Sequence, residues 1–120
     1  MLGIVKGSTI HSKHIGKDYG SRAEITSAIK QIAMKIKDGA LDYDDINENL
    51  VSQHLYTAGQ PDPDLIIRPS GEFRLSNFLM WQGAYSELWF SNCLWPDFTK
   101  DDLLKAISDY QKRNRRFGGV

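Results

Sequence analysis

Residues 65 to 68, Leu-Ile-Ile-Arg, leave the chain few ways to fold. Three large apolar residues stand in a row between a stretch broken by glycine and proline, "TAGQPDPD", and a Pro-Ser-Gly turn. A strand that is apolar on both faces has to be covered on both, which is the mark of a buried parallel strand. "ELWF", residues 87 to 90, is a second short strand. Helical patterns surround the two, so the expected fold class is α/β, a partial parallel β-sheet flanked by helices. Two strands are too few for a stable sheet, and the architecture reads as incomplete.

The helices differ in clarity. Ser21 and Glu24 have capping-box spacing, and Ile25, Ile29, Ile32, Ala33 and Ile36 form one apolar stripe behind them. Lys35 and Lys37 suit the last turn, and Gly39 suits a left-handed cap, which predicts a helix over 22–37. A more acidic helix is predicted from about 44 to 54, with Ile46, Leu50 and Leu55 as its thinner apolar face. "FLMWQGAY" is apolar almost all round and predicts a buried helix over 77–85. Thr99 as N-cap with Asp102 opens a last helix whose inner face is Leu103, Leu104, Ile107 and Tyr110. Lys112, Arg113, Arg115 and Arg116 crowd its end, where the helix dipole favours cations, and Gly118-Gly119 stop it. Residues 1–17 show no clean period and read as a weak strand or a loose arm.

Composition narrows the function classes. Fifteen basic and fifteen acidic residues cancel, so no global field draws nucleic acid and any anion site is local. One cysteine, Cys93, cannot form an internal disulfide, which fits a reducing cytoplasm and reads as a buried inert thiol. No apolar run approaches the roughly 20 residues that span a bilayer, and the opening "MLGIV" is too short for a signal-peptide core.

The chemistry concentrates in "DLIIRPSGEFRLSN", residues 64 to 77. In an open parallel sheet ligands bind at the carboxyl ends of the strands, where Arg68 stands. Gly71 permits a tight turn and close approach of backbone to ligand, Arg74 follows, and Ser76 is placed to cap the next helix. Two guanidinium forks, a hydroxyl and a helix start suit a phosphate or diphosphate. Equally, Arg68 and Arg74 can pair with Asp64 and Glu72. Glu87 can serve as a hard oxygen ligand for Mg²⁺ or as an ordinary salt-bridge partner. His11 and His14 lack an evident third ligand, His54 ends a helix, and Trp81, Trp89 and Trp95 suit core or interface better than base stacking.

"PDPDLIIRPSGEFRLSNFLMWQGAYSELWFSNCLWPDF", a last helix ending in "RRFGG", and "YGSRAEI" at 19 to 25 together resemble the C-terminal half of the cis-prenyltransferases, the family of undecaprenyl diphosphate synthase. The likeness covers about residues 18–120 and leaves 1–17 as an unmatched N-terminal arm. The resemblance implies condensation of isopentenyl diphosphate onto an allylic diphosphate such as farnesyl diphosphate, with Mg²⁺, in the cytoplasm, for lipid carriers of cell-wall synthesis. It implies that Arg68, Arg74, Leu75 and Ser76 hold the diphosphate of isopentenyl diphosphate and that Glu87 helps bind Mg²⁺. It further implies that Arg116 and Gly118 reach the site near a homodimer interface, and that membrane contact is at most peripheral, through the lipid product.

The family is about twice this length, and its N-terminal Asp-Gly-Asn-x-Arg-Trp motif, which holds the allylic diphosphate, is absent from these 120 residues. Asp18 stands where the family usually has asparagine, Pro69 where it has threonine or glycine, and Phe73 where it has glutamine or histidine. The expectation is therefore a truncated chain with the isopentenyl half-site, inactive alone; the alternative is a non-catalytic partner subunit that dimerises with a catalytic chain.

Overall fold

The computed structural model describes residues 1–4 and 20–118. The described residues group into two compact units: one holds 1–4, 62–76 and 82–118, the other 20–61 and 77–81.

The first unit is built on a three-stranded sheet. Its strands are β1 (Leu2–Ile4), β2 (Leu65–Arg68) and β3 (Glu87–Phe90), in the order β1-β2-β3. β2 and β3 run parallel, with Leu65 opposite Glu87 and Arg68 opposite Phe90, as their apolar runs predict. β1 pairs antiparallel to β2, so the sheet is mixed rather than purely parallel. Leu65, Ile66 and Ile67 are all buried, which meets the expectation of a strand covered on both faces.

Helix α3 (Lys100–Gln111) packs on this sheet. The core joins Leu65, Ile67, Trp89 and Ala106, with Ile4, Phe98, Leu103 and Tyr110 around it. Leu104, expected on the inner face, is exposed, and Ala106 occupies the close-packed position instead. The Thr99–Asp102 capping box forms in both directions. The helix ends at Gln111, well before the glycines expected to stop it; Gly119 lies outside the described residues.

The second unit contains α1 (Ser21–Lys37) and the short α2 (Glu48–Gln53). The single acidic helix expected over 44–54 is instead a 3-10 turn at Tyr43–Asp45 and then α2, each with its own cap, Asp42 and Asn47. His54 does end α2 and accepts at Nε2 from Lys35 Nζ, 2.9 Å away. The buried line on α1 is Ser21, Glu24, Ala28 and Ile32, while Ile29 and Ala33 of the expected stripe are exposed.

The Ser21–Glu24 capping box does not form. Gly20 is the N-cap; Ser21 Oγ accepts from Met80 N at 2.8 Å, and Glu24 Oε1 accepts from Tyr56 N at 2.8 Å. The helix expected over 77–85 is a run of turns. Asn77 and Leu79 have φ of +66° and +45°, which a right-handed helix cannot contain. Asn77 instead caps α1, its carbonyl accepting from Ser21 N and its Oδ1 from Arg22 N.

Candidate functional site

Arg68 ends β2 at the carboxyl edge of the sheet, half-buried, just before the Pro-Ser-Gly turn. Ser70 and Gly71 both adopt left-handed φ, +73° and +70°. A Cβ at Gly71 would also meet Asn92 Oδ1 at 3.3 Å, a tight contact that the exposed asparagine would have to ease, so the left-handed φ is the stronger reason for glycine there. The turn is tied to the segment after β3: Ser70 N donates to Cys93 O and Gly71 N to Ser91 O. Those backbone donors are thus engaged within the fold, and Pro69 has none, so the donors this turn leaves for a ligand are on side chains.

The Arg68 guanidinium donates to Arg74 O at 2.7 Å and lies 3.7 Å from Met1 Sδ. It closes the 68–74 loop on itself, and with five donors it is not exhausted by doing so. Arg74 is exposed and paired with Glu72, half of the alternative pairing; Asp64 pairs elsewhere. Phe73 stacks at a tilt on Phe90, holding the loop against the end of β3. Leu75 is half-buried and Ser76 exposed, with φ of +48° for Ser76. No helix follows Ser76, so the helix-start part of the expected anion seat is not present at that residue. Met1, Arg68, Pro69, Ser70 and Trp95 line an open cavity of about 190 Å³.

The amino ends of the same strands form a second cluster. Glu87 begins β3 opposite Leu65, three positions or about 10 Å from the level of Arg68. Its carboxylate accepts from Arg113 at 3.0 Å, and the same nitrogen donates to Leu88 O at 2.7 Å. Arg115 donates to Asp64 Oδ1 at 2.6 Å and to Tyr85 O at 2.9 Å. The Asp64 hydrogen bond raises the Arg115 pKa above its ordinary value, with smaller help from Tyr110. These two arginines were expected to complement the α3 dipole; they lie past the helix, drawn to carboxylates at the strand starts. Sequence spacing held no signal for either pair, since the partners are 26 and 51 residues away.

Arg116 and Gly118 are exposed, and Gly118 has φ +61°. Neighbouring Arg115 is anchored at the strand starts, so within one copy the tail and the Arg68 turn occupy opposite ends of the strand pair. Cys93 is half-buried rather than fully buried, and burial first, then Asp102 and Asp97, raises its pKa, which keeps it a poor nucleophile. Trp89 is core, its Nε1 donating to Asp109; Trp95 is half-exposed and stacked on Phe98. His11, His14, Asp18 and Tyr19 lie outside the described residues.

The described residues do not by themselves make a site that fits Mg²⁺. Among the described residues, no three His, Cys, Asp or Glu side chains converge, and Glu87 is already neutralised by Arg113. A cation at Glu87 would need further oxygen ligands from elsewhere. Among the described residues, no helix is long and apolar enough to cross a membrane.

The family model described as "Putative undecaprenyl diphosphate synthase" matches residues 6–118. The chain belongs to this family, the cis-prenyltransferases. The isoprenyl transferase of Clostridium perfringens is 60% identical over 103 residues, 86% of this chain and 41% of that protein. That of Geobacillus kaustophilus is 60% identical over 103 residues, covering 86% and 40%. Among solved cis-prenyltransferase structures, lavandulyl diphosphate synthase from Lavandula x intermedia, in complex with dimethylallyl diphosphate, superposes with a TM-score of 0.80 at 47% identity. It is matched over 84% of this chain and 44% of that one. A probable undecaprenyl diphosphate synthase from Campylobacter jejuni superposes with a TM-score of 0.65 at 37% identity, with the same coverage. The chain therefore spans about two fifths of the length of the curated relatives it matches.

Proposed function

We propose that this chain supplies the isopentenyl diphosphate half-site of a cis-prenyltransferase reaction, within a domain whose C-terminal part is residues 18–120. The position of Arg68 carries the reading. A half-buried guanidinium at the carboxyl end of a parallel strand, opening onto a cavity of about 190 Å³, is where an α/β sheet binds anions. Arg74 and Ser76, both exposed, lie a few residues on and are available to the same diphosphate, with Leu75 between them. Membership of the family supports isopentenyl diphosphate as the anion and prenyl transfer as the reaction.

In that reaction the terminal alkene carbon of isopentenyl diphosphate bonds to C1 of the allylic diphosphate. The C1–O bond breaks, inorganic diphosphate departs, and a proton leaves the neighbouring carbon to restore a double bond. This chain's own part is to fix one partner: Arg68 and Arg74 neutralise its diphosphate and aim its alkene. Mg²⁺, the allylic diphosphate and the apolar product tunnel belong to the rest of the site, supplied by further chain or by a second copy in a homodimer. The long polyprenyl product is of the kind that carries cell-wall sugars.

A non-catalytic partner subunit is the second reading, favoured by Glu87 being paired with Arg113. Isothermal titration with isopentenyl diphosphate separates the two. The wild-type chain is expected to bind and Arg68→Ala to bind at least about tenfold more weakly, the worth of a charge-assisted hydrogen bond. No binding by either protein, or equal binding by both, would sink the half-site.

A further inference from the structure

The cavity beside Arg68 is lined by two kinds of chemistry. Arg68 and Ser70 are its polar residues, and Met1, Pro69 and Trp95 its apolar ones. Its volume of about 190 Å³ falls below the about 300–1,000 Å³ of pockets for larger ligands, so it suits a short group rather than a polyprenyl chain.

The fold holds each apolar residue in place. Trp95 opens the 3-10 turn Trp95–Asp97, and its ring stacks on Phe98 with the centroids 5.8 Å apart. Phe98 in turn packs against the core of the sheet. Pro69 is buried directly after β2, its own ring fixing φ. Met1 is brought in by β1, which pairs along β2, and its Sδ lies 3.7 Å from the Arg68 guanidinium. Two of the three depart from the family pattern: Pro69 stands where threonine or glycine is usual, and Met1 precedes the matched residues 6–118. A half-exposed tryptophan already stacked in place offers apolar area to a ligand with little left to order on binding.

We infer that Met1, Pro69 and Trp95 form an apolar pocket for the five-carbon group of isopentenyl diphosphate, while Arg68 takes its diphosphate. This rests on the half-site reading for the anion and goes beyond it by naming what holds the hydrocarbon. Trp95 and Pro69 are then specificity-determining residues. They set the preference for an amphiphilic anion over a bare one, and Arg68 sets the affinity for the charge.

The test compares isopentenyl diphosphate with methyl diphosphate, which has the same charged group and almost no hydrocarbon, by titration calorimetry on the full 120-residue chain. A buried methylene is worth about fourfold in affinity. The wild type is therefore expected to prefer isopentenyl diphosphate by at least about tenfold. Trp95→Ala is expected to cut that preference below about threefold while binding methyl diphosphate within about twofold of wild type. Pro69→Thr should also lower the preference severalfold, because a hydroxyl and a backbone donor replace an apolar ring. Arg68→Ala should weaken both ligands by about the same factor and leave the preference standing. Trp95→Ala decides if it folds, and Pro69→Thr decides if it does not; an unchanged preference in the deciding variant overturns the inference. Equal affinity of the wild type for the two ligands overturns the pocket and leaves the half-site in place. Binding of neither ligand ends the half-site reading, and the pocket falls with it.

Discussion

A methyl group added at Gly20 would come within 2.5 Å of Asn77 Nδ2, closer than real atoms approach. The crowding marks how tightly Asn77 is fitted over the start of α1. Its Oδ1 and its carbonyl take the first two orphan N–H groups of the helix, and its φ of +66° is one that asparagine tolerates better than most residues. Asn77→Ala should therefore lose a cap and incur left-handed strain together, costing about 1–2 kcal/mol. Gly20→Ala should cost a similar amount, about 1–3 kcal/mol, because the Asn77 amide must move from its place over the helix start to admit the methyl. Urea denaturation of the two variants checks both. The outcome that counts against this account is a Gly20→Ala protein as stable as the wild type. None of this was legible locally, since the partner of the helix start lies 55 residues downstream.

Two segments with the same capping-box spacing met different fates at the scale of the element. Thr99 and Asp102 cap α3 reciprocally; Ser21 and Glu24 spend the same groups on Met80 N and Tyr56 N. Local grammar held where no distant backbone donor competed for the oxygens. The continuous apolar run of β2 was legible for a similar reason, because burial on both faces overrides other choices. The apolar stretch from 77 onward misled for the opposite reason: uniform hydrophobicity carries no period, and long-range bonds to α1 set left-handed turns there.

The α3 cap also gives a pH dependence. Thr99 N–H and hydroxyl donate to Asp102 Oδ2 and hold its carboxyl below the ordinary value of 3.8. A depressed folded value means that this stabilisation is fully present above pH 3.8 and is lost as pH falls through the folded pKa. Thr99→Ala should thus lower stability by about 1 kcal/mol at neutral pH, and the gap to wild type should narrow below the carboxylate range. Thermal melts at pH 7 and in strong acid read this directly, and a gap that widens on acidification contradicts it.

At the scale of the whole molecule, the 120 residues hold Arg68 beside a cavity of about 190 Å³ and span two fifths of the length of their curated relatives. The rate of a two-substrate condensation comes mainly from holding both reactants in line, an advantage of about 10⁵–10⁸ M in effective concentration. On the proposed reading, a chain that fixes only the isopentenyl partner forfeits most of that, however well Arg68 and Arg74 bind. The membership was legible because the long motif lies wholly within these residues; the allylic seat was not, because nothing in these residues matches the motif that the resemblance assigns to it. Incubated with farnesyl diphosphate, isopentenyl diphosphate and Mg²⁺, this chain alone should elongate at least about a thousandfold more slowly than a full-length relative of the family under the same conditions. Radiolabelled isopentenyl diphosphate extracted into organic solvent as polyprenyl product gives the rate. Elongation within tenfold of the relative would mean that a second copy completes the site, and that one half-length chain carries both seats.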